Sequence, residues 1–147
     1  MTNKVKPIPE GYHTITPMIL AKEASKLIDF IMRAFDGKQM NRHDDAEGKV
    51  MHALVRVGDS NVMLAEATTK YPSVPVVFYL YVNDVDATYK QAIEAGGKSL
   101  REPTTEFYGD RSAGVADDFG NQWWLATHVE DVSDEEIKRR QKELYPS

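Results

Sequence analysis

Apolar residues recur along this chain at two spacings, and the switch between them marks out its elements. Over Lys22–Phe35, Leu27, Ile28, Ile31, Met32 and Phe35 fall on one stripe at helical spacing, and the stretch ends at Asp36-Gly37-Lys38. Sixty residues later, Asp84–Ala95 repeats the pattern with Val85, Tyr89, Ala92 and Ile93 inward, ending at Gly96-Gly97-Lys98. Asp84 stands where an N-cap belongs, and glycine follows both helices where a C-terminus favours it. The same offset places Val55 on Val115, Asn61 on Asn121, Met63 on Trp123 and Leu64 on Trp124. Each half therefore predicts a strand, a helix and three strands. In the first half the strands are Thr14–Leu20, Gln39–His43, Val50–Val57 and Asn61–Glu66; in the second, Val76–Val82, Lys98–Arg101, Arg111–Ala116 and Asn121–Thr127. The expected class is α+β, with two βαβββ modules at about residues 12–67 and 74–128. A helix over about 133–144 follows, started by a capping box between Ser133 and Glu136. Its KRRQKEL run is mostly charged, as on a solvated surface helix.

Successive strand residues face opposite sides of a sheet. One predicted side is wholly apolar: Ile15, Ile19, Met51, Ala53, Val55, Val57, Met63, Ala65, Phe78, Leu80, Val82, Trp123 and Leu125. It suits burial beneath the helices. The other side carries Thr14, Thr16, Met18, His52, Leu54, Arg56, Val62, Leu64, Glu66, Val77, Tyr79, Tyr81, Gln122, Trp124, Ala126 and His128. It is too aromatic for a merely solvated face and too polar for a merely buried one. A concave binding surface with a few convergent polar groups remains.

Composition narrows the chemistry. There are 147 residues without a cysteine, so disulfides, thiolate metal sites and a cysteine nucleophile are excluded, and a reducing cytoplasm suits the chain. Net charge is -5 and no basic cluster stands clear of acidic neighbours, which argues against a nucleic-acid partner. No apolar run reaches the roughly 18 residues of a membrane helix, and no apolar stretch follows the basic N-terminus as a secretory signal requires.

Several segments together carry a resemblance. They are Ile15-Thr16-Pro17-Met18, Ile28-Asp29-Phe30 with Ala34-Phe35, and Met51-His52-Ala53 before Gly58-Asp59-Ser60 and Val62-Met63-Leu64. Further on come Tyr81-Val82-Asn83-Asp84-Val85-Asp86-Ala87, Phe107-Tyr108-Gly109-Asp110-Arg111, Asp117-Asp118-Phe119-Gly120-Asn121-Gln122-Trp123 and Ala126-Thr127-His128. In order and spacing, from about residue 12 to 140, the chain resembles the PhnB-like branch of the glyoxalase/bleomycin-resistance/dioxygenase (vicinal oxygen chelate) superfamily. The resemblance implies curved sheets forming cup-shaped cavities, usually completed in a homodimer. It also implies a choice between metalloenzymes and metal-free drug-binding proteins. Glyoxalase-I-like ligand positions, carried over, fall on Thr16, Leu64, Val77 and Trp124. Leucine, valine and tryptophan offer a divalent cation no lone pair and a lone threonine hydroxyl is a weak ligand, so no metal and no cofactor are expected.

Other residues keep two readings each. His52 and Glu66, with His128, could form a displaced Zn²⁺ or Fe²⁺ site; alternatively His52 and Glu66 hydrogen-bond one another beside Arg56. Tyr108 and Arg111 sit at the rim of the second cup, where Arg111 could meet an anionic group or pair with Asp117 or Asp118. Trp124 either stacks on a planar ligand or fills space. Ser112 has no His/Asp partner at a recognisable spacing. The favoured function is metal-independent binding of an apolar or aromatic small molecule. Met18, Leu64, Tyr79 and Trp124 would give contact area, Thr16, His52, Glu66 and Gln122 orientation, and Arg56, Val77, Tyr108 and Arg111 complete the expected ligand-binding set. The alternative is a lyase, isomerase or dioxygenase using the displaced site, or acid–base chemistry by His52 and Glu66.

Overall fold

The computed structural model describes residues 4–147; Met1–Asn3, the start of the segment read above as no secretory signal, lie outside them. The chain divides into two units, one ending at Val74 and the other beginning at Pro75. The first contains β1 (Met18–Ala21), α1 (Ala24–Phe35), β2 (Lys38–Asp44), β3 (Val50–Val57) and β4 (Ser60–Glu66). The second contains β5 (Val77–Tyr81), α2 (Val85–Glu94), β6 (Lys98–Thr105), β7 (Asp110–Ala116), β8 (Gln122–His128) and α3 (Asp134–Leu144). The sheets have the same topology, β1-β4-β3-β2 and β5-β8-β7-β6. In each, the first strand runs parallel to the last and the remaining pairs are antiparallel. This is the α+β, two-module architecture the repeat predicts, and neither sheet closes into a barrel.

In the first unit α1 packs its Leu27, Ile28, Ile31 and Ala34 into the core. It begins at Ala24 rather than Lys22, because Glu23 takes a left-handed φ of 58° and breaks the helical path. Beneath it lie Ile19, Ala53, Val55, Val62 and Leu64, all buried. Residues opposite one another across a ladder share a face. The registers Ala53↔Leu64, Val55↔Val62 and Ile19↔Leu64 therefore put Val62 and Leu64 under α1. This reverses the phase expected for β4, in which Met63 and Ala65 faced the helix. The register follows from the two-residue loop Gly58-Asp59 between the paired Val57 and Ser60, with Gly58 at φ 57°. β4 is apolar on both sides, so its own alternation does not set the phase. β1 is also shorter than expected: Thr14, Ile15 and Thr16 precede it, and Ile15 is exposed.

The second unit follows its expected phase. Trp123 stacks on Phe78 with ring centroids 4.4 Å apart, and Val115, Ala113 and Leu125 are fully buried on the same side. The Trp123 indole N–H donates to Asp117 at 2.9 Å, and Asp117 also accepts from the backbone of Phe119 and Asn121. Asp84 caps α2 as predicted, accepting from the Ala87 amide. α3 keeps half of its capping box. The Ser133 hydroxyl accepts from the Glu136 amide, but the Glu136 carboxylate turns to Arg139 and Arg140.

Candidate functional site

In each unit the sheet face away from the helix is the candidate surface. On the first unit, the register Leu54↔Met63 and alternation along β3 bring His52, Leu54, Arg56 and Met63 to that face, and Met18 joins them opposite Met63. Glu66 does not. It lies on the α1 side, where its two carboxylate oxygens accept from the backbone amides of Glu23, at 2.8 Å, and Ala24, at 3.1 Å. A carboxylate at a helix N-terminus satisfies orphan donors and meets the positive end of the helix dipole. His52 and Glu66 thus stand on opposite faces of one sheet, which removes both the acid–base pair and the displaced metal set built on it. Leu64, fully buried beneath α1, is likewise not part of the open face. Thr16, half-buried, precedes β1.

The second unit gathers more. Val77, Tyr79, Gln122 and Trp124 share its open face, and with them stand Tyr81, Ala126, His128, Asp110, Ser112 and Gly114. Small residues let large rings lie down here. A Cβ on Gly114 would stand within 2.7–2.9 Å of three atoms of the Trp124 six-membered ring. Tyr79 and Tyr81 both donate their hydroxyls to Oδ2 of Asp110, at 2.9 and 3.0 Å. Because β8 runs between β5 and β7, both phenol side chains span it, and Ala126 at their base is fully buried. Their rings meet edge-on with centroids 5.4 Å apart. The result is an aromatic shelf of two tyrosines and a tryptophan, with Tyr79 48% and Tyr81 66% exposed.

Polar groups brace the shelf. The Arg101 guanidinium lies over the Trp124 ring, 5.1 Å from its centroid, pairs with Glu106 at 3.0 Å and hydrogen-bonds the Ser112 hydroxyl. The Trp124 indole N–H donates to Gln122. Asp110 is buried, which pushes its carboxyl up. Hydrogen bonds from His128, Tyr79 and Tyr81 prevail and hold it below the usual carboxylate range. Burial and then the Asp110 carboxylate push the Tyr79 phenol far up, while for Tyr81 the hydrogen bond to Asp110 is the main cause. Tyr108, at the β6–β7 turn, adds to the upward push on the Tyr79 phenol. His128 is bound at both nitrogens, Nδ1 to Asp110 at 2.9 Å and Nε2 to Asp131 at 2.7 Å, and its pKa is raised by these bonds, that to Asp110 first.

Arg111 belongs elsewhere. It lies on the α2 side, where its guanidinium forms a two-pronged pair with Asp86 at 2.8 and 2.9 Å and also reaches Thr105. Neither Asp117 nor Asp118 is its partner: Asp117 is committed to the Trp123 corner and Asp118 faces Lys98. Sequence reasoning also missed Arg101, because β6 continues to Thr105 rather than stopping at Arg101. Asp110 was hidden by its place in a Gly-Asp turn, although Tyr79 and Tyr81 at strand spacing signalled a shared face.

The superfamily's metalloenzymes imply a metal, and the donors here do not fit one. The carried-over positions supply one threonine hydroxyl and three carbon side chains. Among the described residues, no group of three or more His, Asp or Glu is arranged to hold an ion.

Fold and site together define a two-module α+β scaffold with an aromatic, polar-braced sheet face. Residues 13–125 match the Glyoxalase/Bleomycin resistance protein/Dioxygenase superfamily, and the chain belongs to it. An uncharacterized protein of Mycobacterium bovis is 32% identical over 135 residues, covering 84% of this chain and 89% of that one. Among solved structures, TioX from Micromonospora sp. ML1 superposes with a TM-score of 0.70 at 20% identity, covering 80% of this chain and 99% of its own. TnmS3 from Streptomyces sp. CB03234, described as an antibiotic binding protein, gives a TM-score of 0.64 at 20% identity, covering 79% of this chain and 95% of its own. No helix among the described residues is long and apolar enough to cross a membrane.

Proposed function

We propose that this protein is a metal-independent small-molecule-binding member of the superfamily, of its PhnB-like branch, acting in the cytoplasm as a homodimer. Its ligand is apolar or aromatic and lies against the open sheet face of the second unit. The observation that carries this reading is the shelf itself: three large rings laid on one face over Gly114 and Ala126, with tyrosine surface left open to a ligand. Aromatic rings supply contact area at little entropic cost, and the braced polar groups hold them in place beforehand. The antibiotic-binding description of TnmS3, which shares the fold, agrees with this use of the scaffold. Catalysis has less support. His128 has both nitrogens engaged, and His52 and Glu66 are divided between faces.

Untagged protein tests the reading. Elemental analysis is expected to find no stoichiometric metal, and native mass spectrometry to find a small molecule co-purifying or taken up from a panel of planar compounds. One equivalent of zinc, nickel, iron or manganese would overturn metal independence. Light scattering is expected to give about twice the chain mass of 16.6 kDa.

A further inference from the structure

The charge and hydrogen-bond polarity of the shelf select among aromatic ligands. Both tyrosine hydroxyl protons are spent on Asp110, so neither phenol has a proton left to donate to a ligand. A phenol that donates to a carboxylate is also enriched in ring electron density, which strengthens its attraction for a cation. The fixed charges agree. Three carboxylates, Glu106, Asp110 and Asp131, pair with the two basic side chains of this face, Arg101 and, when protonated, His128. Arg101 is already matched in charge by Glu106, and its one unpartnered donor, Nε, is buried away from a ligand on the face. The fold itself shows the preference, because the Arg101 guanidinium lies over the Trp124 ring.

Resting on the reading of this face as a binding surface, we propose that its ligand is a planar aromatic cation, an N-alkylated or amine-bearing heterocycle, rather than a neutral or anionic aromatic. The cation lies against the open surface of Tyr79 and Tyr81, the more exposed part of the shelf. The long-range field of the chain, with net charge -5, favours the same sign.

Three bicyclic probes of similar size separate the possibilities at neutral pH: 1-methylquinolinium, quinoline and 2-naphthoate, titrated calorimetrically into the intact protein. The methylquinolinium ion is expected to bind at least about tenfold more tightly than either other probe and to weaken as salt rises. Tyr81→Leu, at an exposed position, is expected to abolish most of that advantage, with circular dichroism confirming the fold. Tyr81→Phe, which keeps the ring but not the lone pairs, is expected to retain part of it. Equal or tighter binding of quinoline or naphthoate overturns the charge preference and leaves the binding face standing. Binding by none of the three overturns both.

Discussion

The six-membered ring of Trp124 rests so close to Gly114 that a single methyl group there would stand 2.7 Å from ring atom Cζ3. Glycine at this point of β7 is what allows an indole from β8 to lie across the neighbouring strand and reach Arg101 on β6. Gly114→Ala is therefore expected to lift the ring. A strained insertion of this kind costs about 1–3 kcal/mol. Chemical denaturation measures that loss, and the tryptophan emission of the folded variant should shift as Trp124 leaves Arg101.

The two adjacent tryptophans should respond differently to truncation. Trp123 is 1% exposed, stacked on Phe78 and hydrogen-bonded to Asp117, so Trp123→Ala is expected to cost roughly 3–5 kcal/mol. Trp124 is half-buried on the open face, so Trp124→Ala should cost clearly less stability and more ligand affinity. Equal destabilisation in parallel urea melts would mean that the shelf is a second core.

Glu66 should behave as a structural group. Its carboxylate accepts from two amides at the start of α1, and removing such a charged acceptor typically costs about 1–3 kcal/mol. Glu66→Ala is expected to lower the melting temperature by that equivalent while leaving ligand binding unchanged. Glu66→Gln, which keeps an acceptor oxygen, should lose less. A Glu66→Ala variant that melts normally but binds poorly would return Glu66 to the site.

His128 makes stability depend on pH in a definite direction. Only the imidazolium can donate from both nitrogens to Asp110 and Asp131, and these bonds raise its folded pKa. The contribution is complete below the ordinary histidine value of about 6.5 and disappears as pH rises through the raised value. Asp110, depressed in the folded state, contributes above the ordinary aspartate value of about 3.9 and loses that contribution as pH falls through its lowered value. The melting-temperature gap between the wild type and His128→Gln should therefore be wide near pH ~6 and close by pH ~9. A gap that widens with rising pH would contradict the double bridge.

The repeat, the element order, the Asp84 cap and the apolar underside of the second sheet follow from local pattern alone. Helical and strand periods are properties of the chain, and alternation in β5 and β8 is unambiguous, with Phe78, Trp123 and Leu125 on one side and Tyr79, Tyr81 and Trp124 on the other. Where a strand is apolar on both sides, that signal vanishes. In β4 the residues Val62, Met63, Leu64 and Ala65 fit either phase, and only pairing with β3 across the Gly58-Asp59 loop puts Leu64 and Glu66 under α1. Partner choice was equally beyond the sequence. Arg111 had nearby aspartates at 117 and 118, yet it meets Asp86 from the first turn of α2 because both stand on the same side of the sheet. Asp110 collects Tyr79, Tyr81 and His128 because the order β5-β8-β7 lays two strands' side chains across a third. Charges and hydrogen-bond donors pair with whatever tertiary structure sets beside them, and along the chain these partners lie some twenty to thirty residues apart.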